Sequence, residues 1–190
     1  MKRPFVTIEF CSFLFSLSLA IIGLGCLAAE TTEYKITMNE DGKSGTILTI
    51  MRNIQSDETD PGKQQKDFEQ AIESWQGDEY LLDRVHDGIY VKDRSLSVEH
   101  NVLVWKEKGI FSELGDVFRH ELKNDTLKFV VKGDQKIIAT NGIVLLAKDS
   151  TIVYWVLPAS KEMTATLKET NFSPKSDFVT MFKAYLNPPK

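Results

Sequence analysis

The stretch EYKITMNEDGKSGTILTIMR, residues 33–52, predicts the fold of this chain most directly. Polar and apolar residues alternate over 33–38, and 46–52 is rich in β-branched and aliphatic side chains, which is typical of strands. Between these segments lies Asp41-Gly42, a strong turn signal because glycine adopts the positive φ that tight turns require. The stretch therefore predicts an antiparallel β-hairpin.

Two amphipathic helices are predicted outside this hairpin. Asp60-Pro61 marks the start of the first, with Asp60 as the cap, and Gly77 ends it after Gln76. Ser176 or Asp177 caps the second, which spans residues 177–187. Each helix has one apolar face, formed in the first by Phe68, Ala71, Ile72 and Trp75 and in the second by Phe178, Met181, Phe182 and Tyr185.

Strand-like segments fill most of the remaining sequence. Turn residues such as Asp87-Gly88, Lys108-Gly109 and Asn141-Gly142 separate them, so we expect successive strands to be antiparallel neighbours. The predicted strands are residues 80–85, 88–93, 95–107, 118–122, 126–132, 136–140, 142–148, 150–157 and 162–170. The sequence thus predicts an α+β fold, with a curved antiparallel β-sheet, one amphipathic helix after the first hairpin and a C-terminal helix.

Residues 1–29 have the layout of a signal peptide. Lys2 and Arg3 give a positively charged start, residues 10–27 carry no charge, and small residues follow before the composition turns polar. No linker divides the remainder, and its length suits one hydrophobic core. We therefore expect a signal peptide over residues 1–29 and a single α+β domain over 30–190.

Cys26 decides how this leader is processed. The stretch Gly23-Leu24-Gly25-Cys26 is similar to a bacterial lipobox, with glycine at position 23, where leucine is usual. Cleavage before Cys26 would leave a lipid-bearing cysteine that tethers the domain to a membrane surface. Cleavage near Ala29 would instead release a soluble protein, and without cleavage the charge-free run is about long enough to remain as an anchor. We expect lipidation of Cys26, export, and a membrane-anchored position in the cell envelope.

Charge and cysteine content exclude several classes of function. The formal net charge of the chain is −4, and loss of residues 1–26 would leave 21 basic and 26 acidic residues. An acidic domain repels phosphate backbones, so nucleic-acid partners are not expected. The other cysteine, Cys11, lies inside the leader, so the processed domain has no pair for a disulfide and no cysteine-based metal site.

No residue pattern identifies a catalytic, cofactor or metal site. His86, His100 and His120 lie in predicted strands or turns, where adjacent side chains point to opposite faces, so Glu99 and Glu121 do not form local pairs with their neighbouring histidines. Zinc-ligand spacing, a nucleophile elbow and a phosphate-binding loop are all lacking. Trp105 and Trp155 are predicted to pack in the core, or else to line a groove for a lipid, glycan or peptide.

The lipobox-like leader followed by residues 32–50 resembles the opening of bacterial envelope lipoproteins of the LppM type. The resemblance covers the first third of the chain and implies an exported α+β domain at the envelope, without any catalytic residue. The expected function is non-enzymatic binding or assembly with an envelope protein. The alternatives are a carrier of a small apolar ligand or lipid in a sheet–helix pocket, and a histidine-based metal enzyme or hydrolase.

Overall fold

The computed structural model of the protein describes residues 27–118, 122–132, 134–147, 150–157, 161–173 and 175–188. Cys11, Cys26 and His120 lie outside these ranges, as does the predicted signal peptide up to residue 26. Leu27, the first described residue, begins the first strand. Within the described ranges, no helix combines the length and the apolar composition needed to cross a bilayer.

Ten strands and four helices make up the described part of the chain. The strands are β1 (Leu27–Met38), β2 (Gly45–Ser56), β3 (Tyr90–Glu99), β4 (Val102–Phe111), β5 (Leu122–Lys123), β6 (Thr126–Lys132), β7 (Gln135–Thr140), β8 (Ile143–Ala147), β9 (Ser150–Val156) and β10 (Glu162–Glu169). The helices are α1 (Pro61–Gln76), α2 (Asp78–His86), α3 (Leu114–Val117) and α4 (Phe178–Leu186).

The architecture confirms the predicted α+β class. All described strand pairs are antiparallel, α1 follows the first hairpin, and α4 is the last described element. The strands are divided between two sheets. Sheet A has the order β3-β4-β2-β1-β10-β7, and sheet B has the order β5-β6-β9-β8.

The first hairpin is confirmed and is longer than predicted. β1 and β2 pair from Leu27 opposite Ser56 to Met38 opposite Gly45. At the turn, Gly42 has a φ of 69°, and Oδ1 of Asp41 accepts hydrogen bonds from the backbone N–H groups of Lys43 and Ser44, each at 2.9 Å. The Asp-Gly turn therefore fixes the register that places one face of both strands in the core.

Both predicted helix caps are also confirmed. Oδ1 of Asp60 accepts a hydrogen bond from the backbone N–H of Lys63 at 2.9 Å, and α1 ends at Gln76 with Gly77 as its C-cap. Oδ1 of Asp177 accepts a hydrogen bond from the backbone N–H of Thr180 at 3.0 Å. These side chains satisfy donors at the helix N-termini that have no intrahelical acceptor.

The predicted strand over residues 80–85 is wrong, because this segment lies within helix α2. The first turn of α2 contains Asp78 and Glu79, and its last turn contains Arg84 and His86. This charge distribution favours a helix through its dipole. The side chain of Arg84 is buried, so α2 also places a charge in the interior, as described below.

The predicted single strand over 95–107 is wrong as well, because β3 and β4 form a hairpin. The chain reverses at His100 and Asn101, whose φ values are 50° and 62°, as in the turns favoured by tight hairpins. The turn predicted at Lys108-Gly109 lies instead within β4. Position 109 requires glycine for packing, because a Cβ atom there would lie 2.4 Å from Cγ2 of Ile89.

Later in the chain, strands adjacent in sequence do not always pair. β6 pairs with β9, while β7 joins sheet A beside β10. Asn141-Gly142 therefore carries the chain from one sheet to the other instead of closing a hairpin. Oδ1 of Asn141 accepts hydrogen bonds from Nε1 of Trp155 in sheet B at 2.8 Å and from the backbone N–H of Thr164 in sheet A at 2.9 Å. The crossing is therefore bonded to both sheets.

Of the predicted strand 118–122, only Phe118, which follows α3, and Leu122, in β5, are described.

Sheet A packs on one face, where two hydrophobic cores lie side by side. The inter-sheet core lies between sheets A and B and comprises Tyr34, Ile36, Met38, Ile47, Ile89, Phe111, Leu114, Phe118, Leu127, Phe129, Val131, Val153, Trp155, Met163, Ala165 and Leu167. The helix core lies under the helices and comprises Met51, Ile54, Phe68, Ile72, Leu96, Leu103, Trp105, Phe178 and Phe182. Trp105 and Trp155 are thus core residues, as predicted.

Candidate functional site

A line of polar side chains crosses the buried face of sheet A. Arg94, Glu107 and Thr49 are successive cross-strand neighbours on β3, β4 and β2. Along β2, Ile47 on one side of Thr49 belongs to the inter-sheet core and Met51 on the other side belongs to the helix core. The polar row therefore separates the two cores.

Glu107 is the centre of this row and is 2% exposed. Its Oε1 accepts a hydrogen bond from Nε of Arg84 at 3.1 Å, and its Oε2 accepts one from the hydroxyl of Tyr80. Nη1 of Arg84 also donates to Oδ2 of Asp87 at 2.9 Å. A buried carboxylate needs such partners, because an uncompensated charge in the interior is costly.

The surroundings of Tyr80 keep its hydroxyl protonated. Burial, together with the negative charge of Glu107, raises the pKa of Tyr80 far above its usual range. The ring of Tyr80 packs edge-on against Trp105, with 5.4 Å between the ring centroids. Tyr80 therefore acts as a fixed hydrogen-bond donor to Glu107.

Arg94 closes the same network at the junction of α1 and α2. Its Nη1 donates to the carbonyl oxygen of Ser74 at 2.8 Å and its Nη2 donates to that of Gly77 at 2.9 Å. These carbonyls lie where α1 ends and cannot all be satisfied within the helix. Because each ionised group in the network contacts a neighbouring element, the cluster attaches α2 and the end of α1 to sheet A.

The histidines do not converge. His86 is exposed at the end of α2, and His100 is exposed in the β3–β4 turn. The ten residues of β3 lie between them, a span of roughly 30 Å at the rise of a strand, so these two imidazoles cannot ligate one ion. No group of three or more His, Cys, Asp or Glu side chains suited to a metal ion occurs within the described ranges.

A small cavity lies between sheets A and B. Its lining is mostly apolar and includes Tyr34, Phe118, Phe129, Trp155 and Met163. The cavity volume is about 10 Å³, close to what a single water molecule needs. In this conformation the cavity does not hold a lipid or a drug-sized ligand.

Sheet B carries large apolar side chains on both faces, although Thr126 and Lys128 of β6 also lie on the outer face. Its inner face packs against sheet A through Leu127, Phe129, Val131, Val153 and Trp155. Pairing registers place a second apolar set on the outer face, consisting of Val130, Ile143, Leu145, Ile152, Tyr154 and Val156. A sheet with two apolar faces is normally covered on both, yet Val156 is 49% exposed and Ile143 is 62% exposed.

The edge of sheet B is the most exposed apolar feature of the described chain. β8 pairs with β9 and has no second neighbour among the described strands. Its four large side chains, which we call the β8 edge, are Ile143, Val144, Leu145 and Leu146, exposed by 62%, 43%, 51% and 84%. Contiguous apolar surface of this kind marks an interaction site on soluble proteins.

Sequence reasoning located the strand that forms this site but not its exposure. Residues 143–146 read Ile-Val-Leu-Leu, a continuous apolar run that is typical of a strand buried on both faces. The missed signal lies in the strands taken together. β8 and the central part of β9 are apolar on both faces, and the two helices predicted with an apolar face are too few to cover both sheet A and the outer face of sheet B.

The chain matches no protein-family model, and neither a curated protein nor a solved structure is detectably similar to it.

Proposed function

We propose that the protein is an exported, lipid-anchored protein of the cell envelope that acts as a non-enzymatic binding or assembly module. Its lipid is attached at Cys26, and its binding surface is the β8 edge together with the outer face of sheet B. The observation that carries the proposal is the exposure of four consecutive aliphatic side chains on one edge strand, which pairs with β9 alone among the described strands.

The ionised groups support a non-enzymatic role. Glu107 and Arg84 form the most deeply buried ion pair among the described residues, with side chains 2% and 5% exposed. Both are bound to neighbouring side chains, and the cavity between the sheets is lined by a different set of residues. A substrate would therefore have to displace internal hydrogen bonds to reach Glu107.

The position of β1 is compatible with an anchor at Cys26. β1 begins at Leu27, which pairs with Ser56 and packs against the helix core. A lipid on the preceding residue would hold the domain next to the membrane through a very short connection. The anchor would keep the β8 edge in the envelope, where a partner with matching apolar surface is recruited.

Metabolic labelling with a fatty acid tests the anchor. We expect the wild type to incorporate label and Cys26→Ala to lose it, because the thiol of Cys26 is the attachment point. Cys11→Ala is the matched control, since Cys11 lies in the segment that cleavage removes, and it should be labelled like the wild type. Equal and low labelling of the wild type and Cys26→Ala would contradict the anchor.

The carrier function remains the second candidate, favoured by the apolar lining of the cavity between the sheets. Because the enclosed space accepts about one water molecule, a carrier would have to move sheet B away from sheet A before a ligand enters. Urea unfolding of variants with a single tryptophan distinguishes such a movement from a single rigid core.

A further inference from the structure

β8 combines two features that rarely occur together at the edge of a sheet. It is apolar on both faces, and it lacks the devices that usually protect an edge, namely charged side chains, proline and bulges. Ile143–Ala147 contains no charged residue and pairs with β9 without a register shift. Such a strand has the composition of an interior strand, although it lies at the edge of the described sheet.

We propose that β8 pairs with β8 of a second copy of this chain, which gives a dimer with one continuous sheet of eight strands. This inference rests on the proposed binding function and names the partner of its surface. Antiparallel pairing of two identical strands follows a two-fold axis, so the contact is closed and does not propagate into fibres.

The pattern of side chains fits a register centred on Leu145. In this register Leu145 lies opposite its own copy, Val144 lies opposite Leu146, and Ile143 lies opposite Ala147. Directly opposite residues of an antiparallel pair share a face, with Cβ atoms about 4.5–5.5 Å apart. Leu146, the most exposed of the four at 84%, would thus be covered by Val144 of the second copy.

Charge also favours this contact between identical chains. The chain has a formal net charge of −4, so two copies repel each other through most of their surface. The β8 edge carries no charge, and self-pairing therefore brings no like charges opposite one another. A partner with a charged strand would leave those charges against aliphatic side chains, which is unfavourable.

The exposed aliphatic side chains supply most of the area that a dimer needs. The four side chains present on the order of 400 Å² per copy, if a whole aliphatic residue offers about 170 Å², a value near the lower end of the range for aromatic side chains. The backbone edge and flanking residues add to this, whereas a specific interface requires about 1,000 Å² over both partners. A membrane fits less well, because an open sheet edge would leave backbone groups without hydrogen bonds in the hydrocarbon region.

Site-directed crosslinking of the full chain tests the pairing. Each variant also carries Cys11→Ser and Cys26→Ser. The result therefore does not depend on lipidation of Cys26, and a negative result would leave the anchor proposal unaffected. In mild detergent, with a short bismaleimide, we expect Leu145→Cys to yield mostly covalent dimer. Lys183→Cys, on the exposed surface of α4, is the matched control and should remain monomeric. Crosslinking at Leu145→Cys that does not exceed the control would overturn the proposal.

A second variant tests the same contact without cysteine. Leu145→Lys places two ammonium groups opposite each other at the two-fold axis, and we expect it to sediment at half the mass of the wild type. Ile110→Lys is the control, because Ile110 is an exposed aliphatic residue, 37% exposed, on sheet A, and it should remain dimeric with the same circular dichroism spectrum. A Leu145→Lys variant that stays dimeric, or a monomeric wild type that binds lipid vesicles instead, would refute self-pairing.

Discussion

At the scale of single residues, Glu107 is the most deeply buried carboxylate in the ion pairs of the described residues. It lies on β4 between Trp105 and Gly109, where the other inward-facing positions contribute to apolar cores. Its carboxylate is the common acceptor for Arg84 and Tyr80. Nearby, Thr49 Oγ1 and Arg84 Nη2 are buried without a hydrogen-bond partner within the described ranges. Further loss of a partner here would leave an ion without compensation.

We expect Glu107→Ala to lower the free energy of unfolding by about 3–5 kcal/mol, the usual cost of removing one member of a buried ion pair. Urea denaturation followed by circular dichroism measures the change. Glu162→Ala is the control, because Glu162 pairs with Lys35 at the surface with side chains 49% and 41% exposed, and such a pair contributes about 0–1 kcal/mol. Similar losses for both variants would show that the buried network does not stabilise the fold.

At the scale of elements, the cap of α4 is the contact most open to a direct test. Oδ1 of Asp177 accepts the backbone N–H of Thr180 at 3.0 Å, and Oδ2 accepts the Thr180 hydroxyl at 2.5 Å. These hydrogen bonds, the hydroxyl first, lower the pKa of Asp177 below its ordinary value of 3.8. α4 in turn supplies Phe178 and Phe182 to the helix core. Because Phe178 is the first residue of α4, unwinding of its first turn would disturb the packing of this core.

We expect Asp177→Ala to reduce the free energy of unfolding by about 0.5–2 kcal/mol at neutral pH. Because the folded-state pKa is lowered, this stabilisation is fully present above pH 3.8 and is lost as the pH falls through the folded-state pKa. The difference between wild type and variant should therefore shrink in acid. Asp57→Ala, at an exposed position between β2 and α1, is the control and should change stability by less than about 0.5 kcal/mol. A difference that is independent of pH would contradict the cap.

The elements that could be predicted from the sequence are those whose signals are local. Asp41-Gly42 and Asp60-Pro61 determine the first hairpin and the start of α1 through backbone geometry and capping, and both appear as predicted. The helix over residues 80–85 is favoured locally by its terminal charges, but its placement also depends on Arg84 and Tyr80, which both reach Glu107, 23 and 27 positions away. Such a contact belongs to tertiary structure, and a local apolar run carries no sign of it.

The candidate site shows the same limit. The composition of residues 143–147 predicts a strand, and β8 confirms it. Whether another element covers that strand depends on how the chain crosses at Asn141-Gly142 from sheet A to sheet B, which directs β8 to the edge. Strand pairing over long separations determines this, and neither turn chemistry nor periodicity specifies which strands meet.

At the scale of the whole molecule, sheet A is a platform shared by both cores. β2 contributes Ile47 to the inter-sheet core and Met51 to the helix core, and both residues lie on one continuous strand. The polar row through Thr49 separates the cores without interrupting backbone pairing. Loss of sheet A would therefore remove one wall of each core, which favours unfolding as a single unit.

Two variants with a single tryptophan test this coupling. The chain has three tryptophans. In the first variant, Trp75→Phe and Trp105→Phe leave only Trp155, which reports on the inter-sheet core. In the second, Trp75→Phe and Trp155→Phe leave only Trp105, which reports on the helix core. Within each variant, we expect the fluorescence and circular dichroism transitions in urea to coincide, because both cores share the strands of sheet A. This internal comparison controls for the stability that each substitution itself removes. If Trp155 fluorescence changed at lower urea than the circular dichroism signal, sheet B would separate from sheet A while the helix core stays folded. That movement is the one a carrier requires, so the outcome would favour a ligand site between the sheets over a rigid module that binds through its β8 edge.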